Sequence, residues 1–426
     1  MYDAVPKLNL YVKFCENCDY TNIVLHNKNG YLVFGSGFNQ DSLYGTHIFY
    51  CENSLDCFFA EKCNECYQLI DCENCYHTRF SLLTYQCQES WFLYDCRNCK
   101  HCIGCWNLRN KEYYLFNKPV SEEDYQHYVA TELAERIADP QKIEALWNEI
   151  LDRALHKFQV TENIENVSGN FIYNSKNAFN CYNIHGCQDV NHLVVCINQK
   201  DSGDAMGTSL GELAYDCLNN DYAHKTRWCM NSTYLSNCDY CDSCDNSKNL
   251  FGCVGLRHKE YCIFNKQYSK GEYEQLVPRI IEQMKKNREW GEYFPLSLSP
   301  FAYNETVANE YYPMTREQIL AAQGQWKEED KTLLEKVDVT EDTLACVECG
   351  KSYRIIRQEL NFYHKHALPL AKLCPYCRHI HRLKMRNPRR LWDRNCSKCG
   401  ANIQTSYPPE TPKKVFCEKC YLAEVY

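Results

Sequence analysis

The sequence contains no apolar run long enough to cross a membrane, because no stretch approaches the roughly eighteen residues that a spanning helix needs. Its first residues, Met1 to Pro6, lack the basic cap, the apolar core and the small-residue cleavage site of a secretory signal peptide. We therefore expect no membrane insertion and a cytoplasmic location. In that reducing compartment the 31 cysteines of the 426-residue chain stay free or bind metal.

The charge is unevenly distributed along the chain. Residues 346–426 carry 16 Lys and Arg against 6 Asp and Glu, whereas residues 1–345 carry 31 against 49. The net charge of −8 therefore combines an acidic body of −18 with a basic C-terminal segment of +10. Only that segment favours nucleic acid or another polyanion.

A triplet rhythm governs most of the cysteines. Every cysteine from Cys15 to Cys105 lies at a position divisible by three, and those from Cys181 to Cys262 keep one triplet phase shifted by one. A longer period of twelve joins Cys51, Cys63, Cys75, Cys87 and Cys99. One residue in three points inward, so the pattern predicts two narrow β-solenoids with twelve-residue coils. We expect about nine coils over 9–116 and eight over 169–264.

The coil pattern resembles the twelve-residue solenoids of insect antifreeze proteins in its geometry. Their outward Thr-x-Thr ladder is absent, so ice binding is not implied. The outward column instead is apolar, and such a surface rarely faces water. We expect the other solenoid, a helix or a second subunit to cover it. Its residues are Phe34, Phe58, Ile70, Leu82, Tyr94 and Trp106, flanked by Phe80 and Phe92.

The two halves form an internal duplication. The segment beginning Leu108-Arg109 matches the segment beginning Leu256-Arg257 at an offset of 148. A serine that suits a helix N-cap follows each copy, so we expect helices that close the solenoid ends. The predicted helices span 121–136, 141–156 and 270–289, with a short one from Thr315 to about 323. The predicted domains are a first solenoid over 1–120, a helical cap over 121–156, a second solenoid over 157–266, a helix and extended linker over 267–345, and a zinc-ribbon domain over 346–426.

Three interpretations compete for the 23 cysteines of the solenoids. Reduced cysteine packs as a small apolar residue in a core too narrow for leucine at every position, and Ser, Thr, Ala and Val replace it on the same phase. Disulfides would suit a secreted rod. A metal site among Cys96, Cys99, Cys102 and Cys105 is the third interpretation. We favour packing.

Four CxxC turns near the C-terminus indicate metal binding. Each CxxC turn directs two thiolates at one ion, and a second turn completes a tetrahedron. We predict two structural zinc ions, since four protein ligands leave no open coordination position. The ligands are Cys346, Cys349, Cys374 and Cys377 for the first ion, and Cys396, Cys399, Cys417 and Cys420 for the second.

The first site resembles a treble-clef zinc-ribbon family over about residues 344–380. The matching residues are Cys346, Cys349, Gly350, Glu359, Phe362, Tyr363, Cys374, Cys377 and Arg378. The whole chain is similar to uncharacterised bacterial proteins that join cysteine-rich repeats to tandem zinc ribbons. Both resemblances imply a metal site, and neither implies an activity.

A basic stretch over 378–394 separates the two cysteine sets. The charged nitrogens of its arginines and lysines can contact phosphates, and the ring of Trp392 can stack on a base. The alternatives to nucleic acid are a solvated connector and contact with an acidic protein, including the −18 body of this chain. The candidate nucleic-acid-binding residues are Arg378, Arg382, Lys384, Arg386, Arg389, Arg390, Trp392 and Arg394.

The leading functional hypothesis is a non-enzymatic zinc-binding scaffold. Its basic zinc-ribbon domain would contact RNA or a ribonucleoprotein, and its solenoid body would contact protein. One alternative is a zinc-dependent hydrolase or nuclease, for which His364, His366, His379 and His381 are the only cluster that could serve. A second alternative is self-assembly, with the apolar column pairing two copies into a homodimer.

Overall fold

The computed structural model describes residues 4–6, 10–37, 39–45, 59–61, 71–73, 76–218, 224–328 and 343–426. The described chain is mainly β, with several parallel sheets and few helices. In the described ranges, no helix is both long and apolar enough to cross a membrane. Phe58 and Ile70 of the predicted apolar column lie outside these ranges, as do Cys51, Cys63 and Cys75.

The first half consists of strands followed by three helices. The strands are β1 (Val12–Lys13), β2 (Asn22–Leu25), β3 (Phe34–Gly37), β4 (Phe59–Glu61), β5 (Asp71–Glu73), β6 (Tyr76–Leu82), β7 (Gln88–Tyr94), β8 (Lys100–Trp106), β9 (Glu112–Leu115) and β10 (Lys118–Pro119). The helices are α1 (Glu122–Tyr128), continued by a π-helical turn (Val129–Leu133) into α2 (Ala134–Ile137), and α3 (Pro140–Arg153).

The second half repeats this order with a longer sheet. Its strands are β11 (His156–Lys157), β12 (Thr161–His185), β13 (Gln188–Asn191), β14 (Val194–Ile197), β15 (Lys200–Gly203), β16 (Glu212–Tyr215), β17 (His224–Arg227), β18 (Thr233–Asp239), β19 (Asp245–Phe251), β20 (Glu260–Ile263) and β21 (Lys266–Gln267). Then come α4 (Lys270–Asn287), 3-10 turns at Leu296–Leu298 and Tyr303–Glu305, α5 (Val307–Tyr311) and α6 (Arg316–Ala321).

Two small hairpins and three helices make up the C-terminal part. These elements are β22 (Thr343–Ala345), β23 (Ser352–Arg354), α7 (Arg357–Lys365), α8 (Pro375–Lys384), β24 (Trp392–Asn395), β25 (Asn402–Thr405), β26 (Val415–Phe416) and α9 (Glu418–Val425).

The predicted helices are confirmed to within a few residues. The predicted spans 121–136, 141–156 and 270–289 are observed as 122–137, 140–153 and 270–287. Ser269 and Glu272 form a complete capping box at the start of α4, and Thr315 and Gln318 form one at α6. The shorter α6 ends at Ala321, where the sequence predicted about 323.

Parallel pairing with a constant register organises both halves. Each parallel strand pair within residues 12–115 and 176–263 joins residues twelve positions apart, such as Val12 with Val24 and Lys248 with Glu260. The twelve-residue period of the sequence is therefore the hydrogen-bonding register of these sheets. Residues twelve positions apart in the sequence therefore lie on neighbouring strands, which are about 4.8 Å apart.

The cysteines on the triplet phase point into the core. From Cys87 to Cys105 and from Cys181 to Cys262, every described cysteine is at most 3 % exposed, and none of them forms a disulfide. Their thiols contact main-chain carbonyls two residues earlier and often nine residues later. Cys96 Sγ, for example, lies 3.5 Å from the oxygen of Tyr94 and 3.6 Å from that of Cys105. This geometry fits the packing interpretation.

The residue before an inward position repeatedly adopts a left-handed backbone. Asn98 precedes Cys99 with φ 50°, and Asn237 precedes Cys238 with φ 52°. Asparagine tolerates this conformation better than most residues with a side chain. The asparagines also stack along the strands, because the Asn98 amide donates to Asn110 Oδ1 at 2.7 Å. The left-handed turns were not predicted from the sequence.

An asparagine closes the last turn of each half. Asn117 accepts from the main-chain N–H of Trp106 and donates to its carbonyl, both at 2.9 Å. Asn265 makes the same pair with Val254 at 2.8 Å, again at the offset of 148. The side-chain amide thus pairs with a main-chain N–H and a main-chain carbonyl to which a further strand could otherwise hydrogen-bond. In each half the final strand then folds back as an antiparallel hairpin.

The apolar column of the first half is covered by this chain's own elements. Leu82 and Tyr94 are 5 % and 2 % exposed. The Phe92 ring meets the Trp147 ring of α3 with centroids 5.9 Å apart. Phe34, nearer the N-terminus, is 42 % exposed. Of the coverings expected from the sequence, a helix therefore covers Phe92, whereas Tyr94 is covered by His156 and Tyr407 of this chain.

The C-terminal part is joined to the body by strand pairing around a buried histidine. β11 pairs in parallel with β26, with His156 opposite Val415. His156 is 1 % exposed, and its Nε2 lies 2.8 Å from the carbonyl oxygen of Leu151. Its Nδ1 lies 2.7 Å from the Tyr94 hydroxyl and 3.2 Å from that of Tyr407. The carbonyl can only accept, so Nε2 donates to it; burial lowers the pKa of the ring and favours its neutral form, in which Nδ1 accepts from a hydroxyl.

We predict that this joint weakens in mild acid. Burial lowers the pKa of His156 to about 4, and the charge of Lys413 adds to the effect. The unfolded chain has a histidine pKa of about 6.5, so the contribution to stability is complete above pH 6.5 and is lost as pH falls towards 4. The free energy of unfolding should drop by about 2 kcal/mol from this group between pH 7.5 and 5.

Denaturant titrations at both pH values measure this change. His156→Gln keeps a donor and an acceptor but does not titrate, and it serves as the control for every other acid-sensitive group. The pH-dependent loss should be smaller in this variant by about the same 2 kcal/mol. Equal losses in the two proteins would show that His156 is not the titrating group.

Candidate metal centres

The first cysteine of each set lies in the turn of a β-hairpin. The strands β22 and β23 are antiparallel, and Cys346 to Gly350 make the turn that joins them. The N–H of Gly350 donates to the carbonyl of Cys346 at 3.0 Å, and Gly350 has a φ of +71°. A residue with a side chain rarely adopts this conformation, which explains the glycine after the second cysteine. The hairpin thereby turns Cys346 and Cys349 to the same side.

The start of a helix supplies the other two sulfurs of the first set. Cys374 is the N-cap of α8, and its Sγ accepts from the N–H of Cys377 at 3.4 Å. The N–H of Cys374 in turn donates to Cys346 Sγ at 3.3 Å. Donors at a helix N-terminus stabilise negative charge, so they favour the thiolates that bind a metal. The helix start and the hairpin turn therefore converge on one point.

The distances between sulfurs match a tetrahedral ion. Four thiolates about 2.3 Å from one zinc ion would lie about 3.8 Å from one another. Cys349 Sγ and Cys374 Sγ are 3.8 Å apart, and all four sulfurs of the set lie within 4.8 Å of one another. The first group could therefore hold a metal ion, and its size suits zinc.

The second group repeats the first in a different part of the chain. The hairpin β24–β25 carries Cys396 and Cys399, and Cys417 is the N-cap of α9. Cys399 Sγ and Cys417 Sγ are again 3.8 Å apart, and Gly400 has a φ of +74°. Two C-terminal four-cysteine groups that could each hold a metal ion are thus present, as the sequence predicts.

One cysteine of each group has an acidic thiol. Burial opposes ionisation, but main-chain N–H donors of Cys349 and Cys374 outweigh it and lower the pKa of Cys346 to about 6. The corresponding donors of Cys399 and Cys417 lower the pKa of Cys396 to about 6. The inward Cys181 of the body behaves in the opposite way, since burial raises its pKa to about 12. Main-chain donors thus prepare a thiolate in both groups where a metal is expected.

The candidate catalytic histidines do not converge. Within the described residues, the two four-cysteine groups are the only sets of three or more potential ligand atoms that lie within 4.8 Å of one another. His379 Nε2 lies 3.0 Å from Glu310, and His381 Nε2 lies 2.6 Å from Glu348. His366 Nδ1 accepts from Arg79 at 3.1 Å. These three histidines therefore face separate partners.

Part of the basic stretch is directed into the protein. Arg378 and Arg382 are 3 % and 4 % exposed, and Arg386 donates to Asn183 Oδ1 of the body at 3.2 Å. Arg389 and Arg394 are partly buried. Lys384 and Arg390 are exposed, and the Arg390 guanidinium lies 5.3 Å from the centroid of the half-buried Trp392 ring.

The buried carboxylate of Glu359 holds the first metal group against the body. The sequence analysis did not assign this residue a functional role. Glu359 is 1 % exposed and accepts from Arg378 Nη1 at 3.1 Å. It also accepts from the hydroxyls of Tyr363 at 2.8 Å and of Tyr44 at 2.5 Å. Glu359, Tyr363 and Arg378 belong to the residues that carry the zinc-ribbon resemblance, which was the available signal. Their contact with Tyr44 joins α7 and α8 to the first half.

Comparisons with known proteins assign no family. No protein-family model matches the chain, and no curated protein matches it at a significant level. A UDP-N-acetylglucosamine acyltransferase from Campylobacter jejuni is among the solved structures retrieved, with 9 % identity over 56 % of this chain and 88 % of that chain. Its TM-score of 0.10 is too low to support any argument about fold or function.

We predict two zinc ions per chain, measured by elemental analysis of the purified protein. Cys396→Ser removes one of four ligands from the second group, so this variant should retain one ion. Cys238→Ser changes an equally buried thiol of the body and should retain two. A loss of metal from Cys238→Ser, or clearly more than two ions in the unaltered protein, would contradict this assignment.

Proposed function

We propose that the protein is a non-enzymatic binding scaffold whose C-terminal domain is built around two structural zinc ions. The observation that carries this proposal is the ligand set, because each group offers four cysteines and leaves no position for a substrate or water. A zinc hydrolase needs such an open position. The dispersed histidines form no metal site of their own among the described residues.

We also propose that the body consists of two duplicated β-solenoids, as the sequence suggests. The constant register of twelve, the inward cysteines and the paired asparagine caps support this architecture. The domain divisions after 120, 156, 266 and 345 are part of this proposal, and the changes from strand to helix before α1 and before α4 support the first and the third of them. A rod of stacked turns is stiff and offers long surfaces, which suits protein binding.

The first role of the zinc domain in this proposal is to lock the body. It contacts the first half through Glu359 and Tyr44, the helical connection through His156, and the second half through Asn170, whose amide donates to Ser406 at 3.0 Å. The acidic body and the basic C-terminal segment thus meet within one chain. The basic stretch takes part in this docking through Arg386, which donates to Asn183 Oδ1 of the second half at 3.2 Å.

Metal removal tests the locking role. A small domain with little core of its own loses its fold without its ions, so chelation should expose residues 343–426 to protease. Limited proteolysis of the full chain with and without a chelator, read by mass spectrometry, should show early cleavage there while residues 160–265 resist. Cys349→Ser should reproduce the effect without chelator, and Cys238→Ser should not. Unchanged resistance of residues 343–426 would refute the proposal.

RNA contact is a second candidate function, favoured by the exposed Lys384 and by Arg390 against Trp392. Cations beside an aromatic ring suit the phosphates and bases of a single-stranded loop. Two phosphate contacts predict roughly a five- to tenfold loss of affinity between 50 and 200 mM salt.

Binding of a fluorescent RNA hairpin at both salt concentrations is the measurement. The double substitution Lys384→Gln with Arg390→Gln should weaken binding at low salt, whereas Arg153→Gln, an exposed arginine on α3, should not. Binding that is absent at low salt, or that does not depend on salt, would exclude this candidate.

A further inference from the structure

A cavity of about 240 Å³ lies between α3 and the first metal group. The helix α3 contributes Ile143 and Trp147 to its lining, and the segment 369–373 and α8 contribute residues from the C-terminal part. Lys413, two residues before β26, lines it as well. The cavity therefore depends on the docking of the C-terminal part against the helical connection.

The lining of this cavity is mostly apolar. Its least accessible residues include Phe80, Trp147 and Leu373, which are at most 8 % exposed. Ile143 is partly buried and Leu370 is 44 % exposed, so apolar surface remains open to a ligand. Such a concave surface favours an apolar ligand, because covering it removes hydrocarbon from water.

Lysine side chains line the same cavity. Lys372 and Lys384 are exposed, and Lys413 is partly buried. Burial lowers the pKa of Lys413, although the charge of Asp152 partly opposes that shift. An ammonium in such surroundings attracts a nearby anion more strongly than an ammonium in bulk water does. Of the described lining residues, Glu144 alone carries a carboxylate, so the charge of the lining favours an anionic ligand.

The other basic residues of the lining are less open to a ligand. Arg378 and Arg382 are 3 % and 4 % exposed. His381 is partly buried, and its Nε2 lies 2.6 Å from a carboxylate oxygen of Glu348. The three lysines are therefore the cations of the lining that an added anion can reach.

The size of the cavity limits its occupant. A methylene group takes about the 30 Å³ of a liquid water molecule, so the 240 Å³ correspond to about eight carbon atoms. An amphipathic helix would need a longer groove, because its anchors recur over two helical turns. One short hydrocarbon chain fits the cavity better than a row of peptide side chains.

We propose that this cavity binds the anion of a medium-chain fatty acid, for which octanoate is the probe. The hydrocarbon chain would lie against Ile143 and Trp147. The carboxylate would meet Lys413, because hydrogen bonds between charged groups are stronger than those between neutral ones. The ligand would thus contact α3 and the C-terminal part together, which goes beyond the structural role proposed for the zinc ions.

Calorimetric titration of the zinc-loaded full chain with fatty acids of different length tests this site. Octanoate should bind about fifteenfold more tightly than hexanoate, because each of the two added methylenes is buried. Dodecanoate should gain clearly less per methylene, since the cavity is already filled. Octylamine should bind more weakly than octanoate, because the lysines repel its charge.

Substitutions separate the charge of the site from its apolar surface. Lys413→Met should weaken octanoate about tenfold, because a hydrogen bond to a charged group is lost, and should leave octanol unchanged. Lys414→Met changes the next residue, which is exposed and outside the cavity, and should alter neither ligand. Leu370→Asp changes an exposed side chain and should weaken both ligands. It keeps the site testable if Lys413→Met unfolds at a lower temperature than the unaltered protein.

Three results would overturn the proposal. The first is an absence of octanoate binding to the unaltered protein. The second is an equal loss in Lys413→Met and Lys414→Met, which would indicate diffuse attraction to the basic segment. The third is an undiminished gain per methylene up to dodecanoate, which would indicate adsorption on an open surface. The protease experiment on residues 343–426 is read without fatty acid, so locking can hold while this site fails.

Discussion

The parallel contact between His156–Lys157 and Val415–Phe416 is the constraint on which the rest of the arrangement depends. The first of these segments follows α3, which covers the first half, and precedes β12, which starts the sheet of the second half. The other segment directly precedes Cys417, a candidate metal ligand. An ion held there would therefore fix a strand whose partner lies between the two halves. A short pair of strands is weak alone, and the buried His156 side chain adds a contact between its Nδ1 and the Tyr407 hydroxyl of the C-terminal part at 3.2 Å.

The period of the body could be predicted from sequence because packing is selective inside a narrow core. Small side chains recur at the inward positions, with leucine at some of them, such as Leu93 and Leu235, so the spacing of the cysteines predicts the twelve-residue register. The backbone conformation could not be predicted in the same way. Asn98 and Asn237 suit a left-handed turn, but Phe14 and Ile23 adopt it as well, with φ 54° and 56°. There the cross-strand hydrogen bonds outweigh the local preference of the residue.

In the metal groups, too, features set by neighbouring residues could be predicted, whereas contacts between distant segments could not. Eight ligands could be identified from CxxC spacing and glycine, because those features act within five residues of chain. The buried contact of Glu359 with Tyr44 depends on two segments more than three hundred residues apart, and no local pattern predicts it. The zinc-ribbon resemblance therefore included the side chains that make this contact. That they dock onto the first half can be seen only in the folded chain.

Several of the arginines that make the C-terminal segment basic are buried or contact other residues of the chain. Arg378 and Arg382 lie four residues apart on α8, which places them on one side of that helix, and both are buried. Arg378 meets Glu359, and beyond the end of the helix Arg386 meets Asn183. Composition alone suggested an external polyanion, yet much of this charge is used within the chain. Arg389 follows these arginines without a hydrogen-bond partner among the described residues. Contacts within the chain thus account for Arg378 and Arg386, so these two guanidinium groups are not available to an external polyanion.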